Sequence, residues 1–228
     1  MNALIIQKLL KCSLFRDFDS VELTKLLADY NTPLQIHSVD HLIMQRGDIL
    51  DSLLILLTGR LQAQIQGLNG KTLRVEVLKD ASPIASGILF SHDNRLPVSL
   101  YSETDVEILS IPKAAVLKLC HSSQSFMNGY FTDMGDKISL LAEKIRLYQF
   151  NTIRQKISGY LLGLIGARNL TTVKLLHSKE VLAEIMGVAR PSLSREFSKL
   201  VQEEILEVNG KNVIILDRSR LQELLFED

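Results

Sequence analysis

Between Met127 and Tyr148 the apolar residues Met127, Phe131, Met134, Ile138, Leu141, Ile145 and Tyr148 are spaced 4, 3, 4, 3, 4 and 3 positions apart. A strand cannot use that period, because its side chains alternate between faces at every second residue. A spacing that averages 3.5 keeps one narrow stripe turned toward a neighbouring helix, so the segment is expected to be a long helix whose seam meets a second copy of the chain. The plainer alternative is an amphipathic helix lying on its own domain. A second apolar set on the same helix, Phe126, Tyr130, Leu140 and Leu147, is expected to pack against the preceding domain. Gly129 and Gly135 each weaken such a helix by about 1 kcal/mol relative to alanine, so packing must supply the difference.

This helix divides the chain into two textures. Before it, the first thirty residues suggest two short helices, with apolar positions Leu4, Ile5, Leu9, Leu10 and then Val21, Leu23, Leu26, Leu27. From Leu34 to Ile111 follow short apolar runs of strand length, broken by turn signals at 45–48, 58–60, 68–71 and 92–95. Six to eight strands joined by local turns, without interleaved helical patterns, favour an antiparallel roll over a parallel sheet. After the long helix, Ile153, Ile157, Tyr160, Leu161, Leu164 and Ile165 mark a second helix, with Asn151 or Thr152 available as its cap. The expected organisation is therefore a roll over 1–121, a long helix over 122–150 and a C-terminal domain over 151–228.

Composition narrows the possible functions. The 228 residues are 46% hydrophobic and 23% charged, close to the average for a globular chain. The strongest apolar run, Leu53 to Leu57, is far short of the roughly 18 residues of a bilayer span. The first twelve residues place Lys8 and Lys11 after their apolar positions, the wrong order for a secretory signal, so a cytoplasmic protein with no membrane partner is expected. Two cysteines, Cys12 and Cys120, lack the spacing of a disulfide framework, a zinc site or a four-cysteine cluster. The 26 basic and 26 acidic residues cancel, but their distribution is uneven. Between 152 and 202 the bases Arg154, Lys156, Arg168, Lys174, Lys179, Arg190, Arg195 and Lys199 face only Glu180, Glu184 and Glu196, a local excess of +5. Acids such as Glu203, Glu204 and Glu207 compensate afterwards, so the neutral total conceals a basic stretch suited to phosphate.

The segment HSKEVLAEIMGVARPSLSREFSKLVQ, 177–202, is the most informative. Ser178 can cap a short helix with Val181, Leu182 and Ile185 on its apolar face, and Gly187 breaks that helix. Pro191 suits the first turn of a second helix, whose stripe is Leu193, Phe197, Leu200 and Val201. Opposite the stripe stand Arg195, Ser198, Lys199 and Gln202, with Arg190, Ser192 and Ser194 near the helix start. Arginine can bridge guanine O6 and N7, while hydroxyls and lysine bind phosphates, so this face suits a major groove. Asn209-Gly210, inside EVNGKNVIIL, signals a type I′ hairpin that would form a wing and carry Lys211. The candidate DNA contacts are Ser178, Arg190, Ser192, Ser194, Arg195, Lys199 and Lys211.

In this order of parts the whole chain resembles the Crp/Fnr family of transcription regulators. The run GVARPSLSRE is similar to the family's recognition-helix region, and the block Gly47, Asp48 and LLILLTGR resembles its roll signature, with Gly59 at a turn. The resemblance implies an α+β chain: an N-terminal antiparallel β-roll of jelly-roll type, a long dimerisation helix and a C-terminal winged helix-turn-helix. It implies base or phosphate contacts for Arg190, Ser194 and Arg195. Its implied partners are double-stranded DNA with a near-palindromic operator, a second copy of the chain, RNA polymerase and a small-molecule effector. Pro191 stands where many members carry a base-reading glutamate, so a different operator is expected. Cyclic-nucleotide binders in the family hold ribose and phosphate with Gly-Glu and Arg-Ser or Arg-Thr pairs. Here the corresponding positions are Ala85, Ser86, Leu96 and Pro97, with Arg95 one residue away. A cyclic phosphate buried there would lack compensation, so an effector other than cyclic AMP is expected.

Other readings remain open at this level. His37, His41, His92 and His121 could ligate haem, although ordinary surface histidines explain them as well and no cofactor is evident. Cys120 could sense oxidants or be an inert thiol. No nucleophile–base pair, phosphate loop or carboxylate pair points to an enzyme. A protein-interaction adaptor with a solvated basic helix is the alternative from another class.

Overall fold

A computed structural model describes residues 2–66, 72–166 and 170–227, with the backbone alone at 72 and 73. The turn expected at 68–71 therefore falls outside the described residues. The chain forms two compact units, Met1–Asp136 and Lys137–Asp228.

In the first unit, α1 (Ala3–Leu9) starts at Asn2, whose side chain accepts from the Leu4 N–H. A 3-10 turn (Ser13–Phe15) leads to α2 (Ser20–Leu27), which begins with a capping box between Asp19 and Glu22. Eight strands follow: β1 (Leu34–His37), β2 (Leu42–Met44), β3 (Ser52–Thr58), β4 (Leu61–Gln66), β5 (Thr72–Leu78), β6 (Ser82–Ile84), β7 (Ser99–Ser102) and β8 (Val106–Pro112). They pair antiparallel into two sheets, ordered β1-β8-β3-β6 and β2-β7-β4-β5. This is the expected roll.

A strand with one wet face alternates, but Leu53 to Leu57 of β3 are buried without a break. The reason lies outside the sheet: α1 and the helix after β8, α3 (Lys113–Ser122), lie against β3, so both of its faces are dry. Each such side chain contributes about 1.5–3 kcal/mol by leaving water. Gly59 closes the β3–β4 turn at φ +95, and a Cβ there would run into the Asp105 carbonyl oxygen. Glycine is required twice over, by conformation and by space.

The long helix α4 (Gln124–Tyr148) runs through the division between the units. Phe126 and Tyr130 are buried in the first core, and Gly129 permits a close approach, since a Cβ there would stand 2.6 Å from the Leu14 carbonyl oxygen. Leu140 and Leu147 depart from the expectation that they pack on the roll. They join the second core, because α4 passes into the second unit at Lys137.

The second unit continues with α5 (Ile153–Ile165), capped by Thr152 in a box with Gln155. Then come β9 (Thr172–Lys174), α6 (Lys179–Met186), α7 (Arg190–Gln202), β10 (Leu206–Asn209), β11 (Asn212–Ile215) and α8 (Arg218–Glu223). The three strands form one antiparallel sheet, β10-β11-β9. Its hairpin differs in detail from the sequence reading. Asn209 pairs with Asn212, so the two turn residues are Gly210 and Lys211, and of these only Gly210 has positive φ. That is the pattern of a type II′ turn, with glycine first, and not the type I′ pair Asn209-Gly210. No helix among the described residues is long and apolar enough to cross a membrane.

Candidate nucleic-acid interface

The α6–α7 pair is built by its ends. The Ser178 hydroxyl accepts from the Val181 N–H at 3.3 Å and starts α6. Gly187 ends it in the left-handed conformation, with its own N–H bonded to Glu184 and the Val188 N–H bonded to the Ala183 carbonyl. Three residues later α7 begins with Pro191 in its first turn. It ends in the same type of motif, with Ile205 donating to Leu200 at 3.0 Å and Glu204 to Val201 at 3.1 Å, but here a glutamate occupies the left-handed position. Leu193, Phe197 and Leu200 are buried. Val201, expected in that stripe, is exposed instead, about 100° further round the helix from Leu200.

The outer face of α7 presents Arg190, Arg195, Ser198, Lys199 and Gln202, all exposed, with Ser192 and Ser194 half-buried beside them. Among the described residues the Arg195 guanidinium hydrogen-bonds only a neutral group of its own helix, donating to the Ser192 hydroxyl at 3.2 Å. Ser198 donates back to the Ser194 carbonyl at 3.1 Å. Lys211 lies exposed at the tip of the wing. The second unit thus carries all seven candidate contacts, five on α7, one at the α6 cap and one on the hairpin.

The basic excess read from the sequence is smaller at the surface than in the count. Arg154 donates to Glu196 at 2.8 Å and forks onto Glu203 at 2.9 and 2.7 Å, tying α5 to α7. The Glu203 bond raises the Arg154 guanidinium above its ordinary value against the desolvation of burial, and Glu196 adds to the rise. Lys156 is buried with its ammonium on the Met186 carbonyl at 2.8 Å. Lys179 stands over the Phe197 ring, 5.1 Å from its centroid. Arg168 lies outside the described residues. Lys199 is exposed but meets Glu196 at 3.2 Å. Burial alone would raise the Glu196 carboxyl, yet the hydrogen bonds from Arg154 and Lys199 outweigh it and hold that carboxyl below its usual range. No sequence signal marked these pairings, since Arg154 and Glu196 are 42 residues apart.

Comparison with known proteins bears on both units. Residues 38–123 match the Cyclic nucleotide-binding domain family, and residues 155–224 match the Crp-like helix-turn-helix domain. A transcriptional regulator from Thermotoga maritima is 30% identical, with 54% of this chain and 94% of that chain covered at a TM-score of 0.50. The chain belongs to the Crp/Fnr family of transcription regulators. The catabolite activator protein of Thermus thermophilus, 17% identical, shares the fold over 94% of this chain and 98% of its own, with a TM-score of 0.53. A probable transcriptional regulator, flp, from Lacticaseibacillus casei is 23% identical over 188 residues, 79% of this chain and 84% of its own.

In this Crp/Fnr regulator the loop after β6 is tied down from within. Ala85 has φ +48, and Ser86 is fully buried with its hydroxyl on Asp133 of α4 at 2.5 Å. Ser13 donates to the other oxygen of Asp133 at 3.2 Å, and the Tyr130 hydroxyl donates to the Ser86 carbonyl at 2.6 Å. Burial, then Cys120 and Asp133, push the Tyr130 phenol far above its usual range. Leu96 is part of the core and Pro97 is exposed. The exposed Arg95 donates to the Gly47 carbonyl at 3.0 Å, away from Ser86 in its bonding. Asp133, Tyr130 and Ser13 were not singled out by sequence; the one signal available was a carboxylate three residues from Tyr130 on an otherwise apolar face.

The sensing candidates are placed as follows. The His37 and His41 rings stack at 4.7 Å, and burial with the neighbouring His41 lowers the His37 pKa. His92 and His121 are exposed. Burial pushes the Cys120 thiol up, which disfavours the thiolate that oxidant sensing needs.

Proposed function

We propose that this regulator acts as a homodimer that reads a near-palindromic DNA site through α7, under the control of an effector other than cyclic AMP. The observation that carries the reading is the outer face of α7. Three exposed cations stand there opposite a buried apolar stripe, and among the described residues the Arg195 guanidinium has only a neutral hydrogen-bond partner. Such a side chain can exchange its partner for guanine O6 and N7 at little cost.

The homodimer is supported by the seam. Phe131, Ile138, Leu141, Ile145 and Tyr148 are 57 to 73% exposed on one helix, an apolar ribbon that a single copy leaves in water. Met127 and Met134 at its start are half-buried, Met134 against the first core. Against cyclic AMP stands the buried bond from the Ser86 hydroxyl to the Asp133 carboxylate, which commits to an anion one of the residues expected to line the pocket.

Selection of bound duplexes from random DNA, followed by affinity measurements across a salt series, tests this reading. Enrichment of a near-palindromic site with a falling log K against log[salt] is expected. Absence of enrichment together with a flat salt response contradicts it and favours an adaptor.

A further inference from the structure

The last residue of the seam faces two ways. Tyr148 ends α4, and its exposed side continues the stripe from Ile138, Leu141 and Ile145. Its ring also lies close over the turn between α6 and α7. A Cβ built on Gly187 would meet the Tyr148 hydroxyl oxygen at 3.5 Å and two ring carbons at 3.7 and 3.8 Å, so the ring stands over the glycine with about one carbon atom's room between them. Lys156 of α5 completes the arrangement. Its buried ammonium donates to the Met186 carbonyl at 2.8 Å and stands 5.7 Å from the centroid of the Tyr148 ring. Met186 is the last residue of α6, so the cation sits at the negative end of that helix. A buried cation with one carbonyl partner is costly unless something else compensates it, and the ring face does so.

We infer that Tyr148 is a positioning residue for DNA reading. A second copy covering the seam fixes the Tyr148 ring, and the ring, through Lys156 and the Gly187 turn, holds the attitude of α7. The inference rests on the homodimeric DNA-reading function proposed above. It assigns to one side chain the passage from seam to turn, with Lys156 as its counterpart. The geometry explains why a buried lysine is kept in the second core: methionine would fill the space but could not bind the α6 carbonyl and the ring face together.

The test uses the full chain and the duplex that the unmodified chain enriches from random DNA. Tyr148→Ala leaves Ile138, Leu141 and Ile145 in place and is expected to sediment as a dimer while binding that duplex about tenfold more weakly. Its salt slope stays unchanged, because no phosphate contact is lost. Tyr148→Phe keeps the ring and restores affinity to within about twofold, since the ring face carries the contact. Lys156→Met is expected to weaken binding similarly alone and to add little in the Tyr148→Ala background. A readout independent of DNA is amide exchange at Gly187 and Val188, whose N–H groups are bonded to Glu184 and Ala183. Exchange there should be slower in the dimer than in a monomeric Ile138→Lys, Leu141→Lys variant, and Tyr148→Ala should abolish the difference. A dimeric Tyr148→Ala with undiminished affinity, additive losses for the two substitutions, or exchange indifferent to dimerisation overturns the inference. If the unmodified chain enriches no duplex, the DNA-reading function is what fails, and the exchange measurement still decides the coupling.

Discussion

Arg195 and Lys199 stand one turn apart on the same face, yet their surroundings give them different tasks. Arg195 leans on a neutral hydroxyl, whereas Lys199 is already paired with Glu196. Arg195→Ala is expected to cost about 1–3 kcal/mol on the selected site and to relax preference at one base pair per half-site. Lys199→Ala should weaken all duplexes alike and lower the salt slope by at most about one per protomer, because Glu196 already offsets part of its charge. Binding isotherms of both variants on selected and scrambled duplexes check this, and equal losses for the two would remove base reading from Arg195. Glu196 also carries a pH dependence. Its folded pKa is depressed, so its contribution is present above the ordinary carboxylate range and is lost as pH falls through the folded value. Thermal melts should therefore show an acid limb that Glu196→Gln flattens; an unchanged limb would mean the Arg154 pairing with Glu196 does not stabilise the fold. Arg195 was legible in the sequence because helical period alone places it opposite Leu193, Phe197 and Leu200. Arg154 and Lys156 stand in the basic excess over 152–202 as if unpaired, because their partners come from other elements, which a local charge count does not register.

At the scale of elements, the period of α4 was legible because a 3.5-residue stripe has one structural meaning. Which body its other face packs against was not, since Leu140 and Phe126 look alike in sequence and differ only in the side of the unit boundary on which they fall. Ile138→Lys with Leu141→Lys places four cations across a paired seam, two from each copy, and is expected to give monomers in sedimentation that no longer bind the selected duplex. A dimer that persists with DNA affinity intact would assign the seam elsewhere. The end of α7 makes a different prediction. Glu204 holds a left-handed conformation at φ 57, which strains an L-residue by about 1–2 kcal/mol. After allowing for the greater freedom of glycine in the unfolded chain, Glu204→Gly should stabilise the second unit by about 0.5–1 kcal/mol. Glu204→Val should destabilise it, and denaturant titration distinguishes the two directions. Hairpin chemistry shows how a true signal can be placed one residue off. Asn-Gly marks a turn correctly, but β11 pairs Asn212 with Lys174 and β10 pairs Asn209 with Asn212, leaving Gly210 and Lys211 to turn.

For the whole molecule, a two-fold axis between seams would set two α7 helices on half-sites about 34 Å apart, one turn of DNA. The roll was legible as a fold because its strands are short and separated by turn residues. Its internal bonding was not, because Ser86 and Asp133 are 47 residues apart and no local pattern joins them. With that bond in place, saturating cyclic AMP should leave the melting temperature unchanged, whereas a ligand that binds only the folded state must raise it. The most direct measurement is the affinity of the unmodified chain and of Arg195→Ala for the selected duplex and a scrambled one, at several salt concentrations. The account predicts a salt-dependent preference for the selected duplex that Arg195→Ala reduces by about 1–3 kcal/mol while changing scrambled binding much less. Equal affinity for both duplexes, or a preference that the loss of Arg195 leaves undiminished, would contradict it.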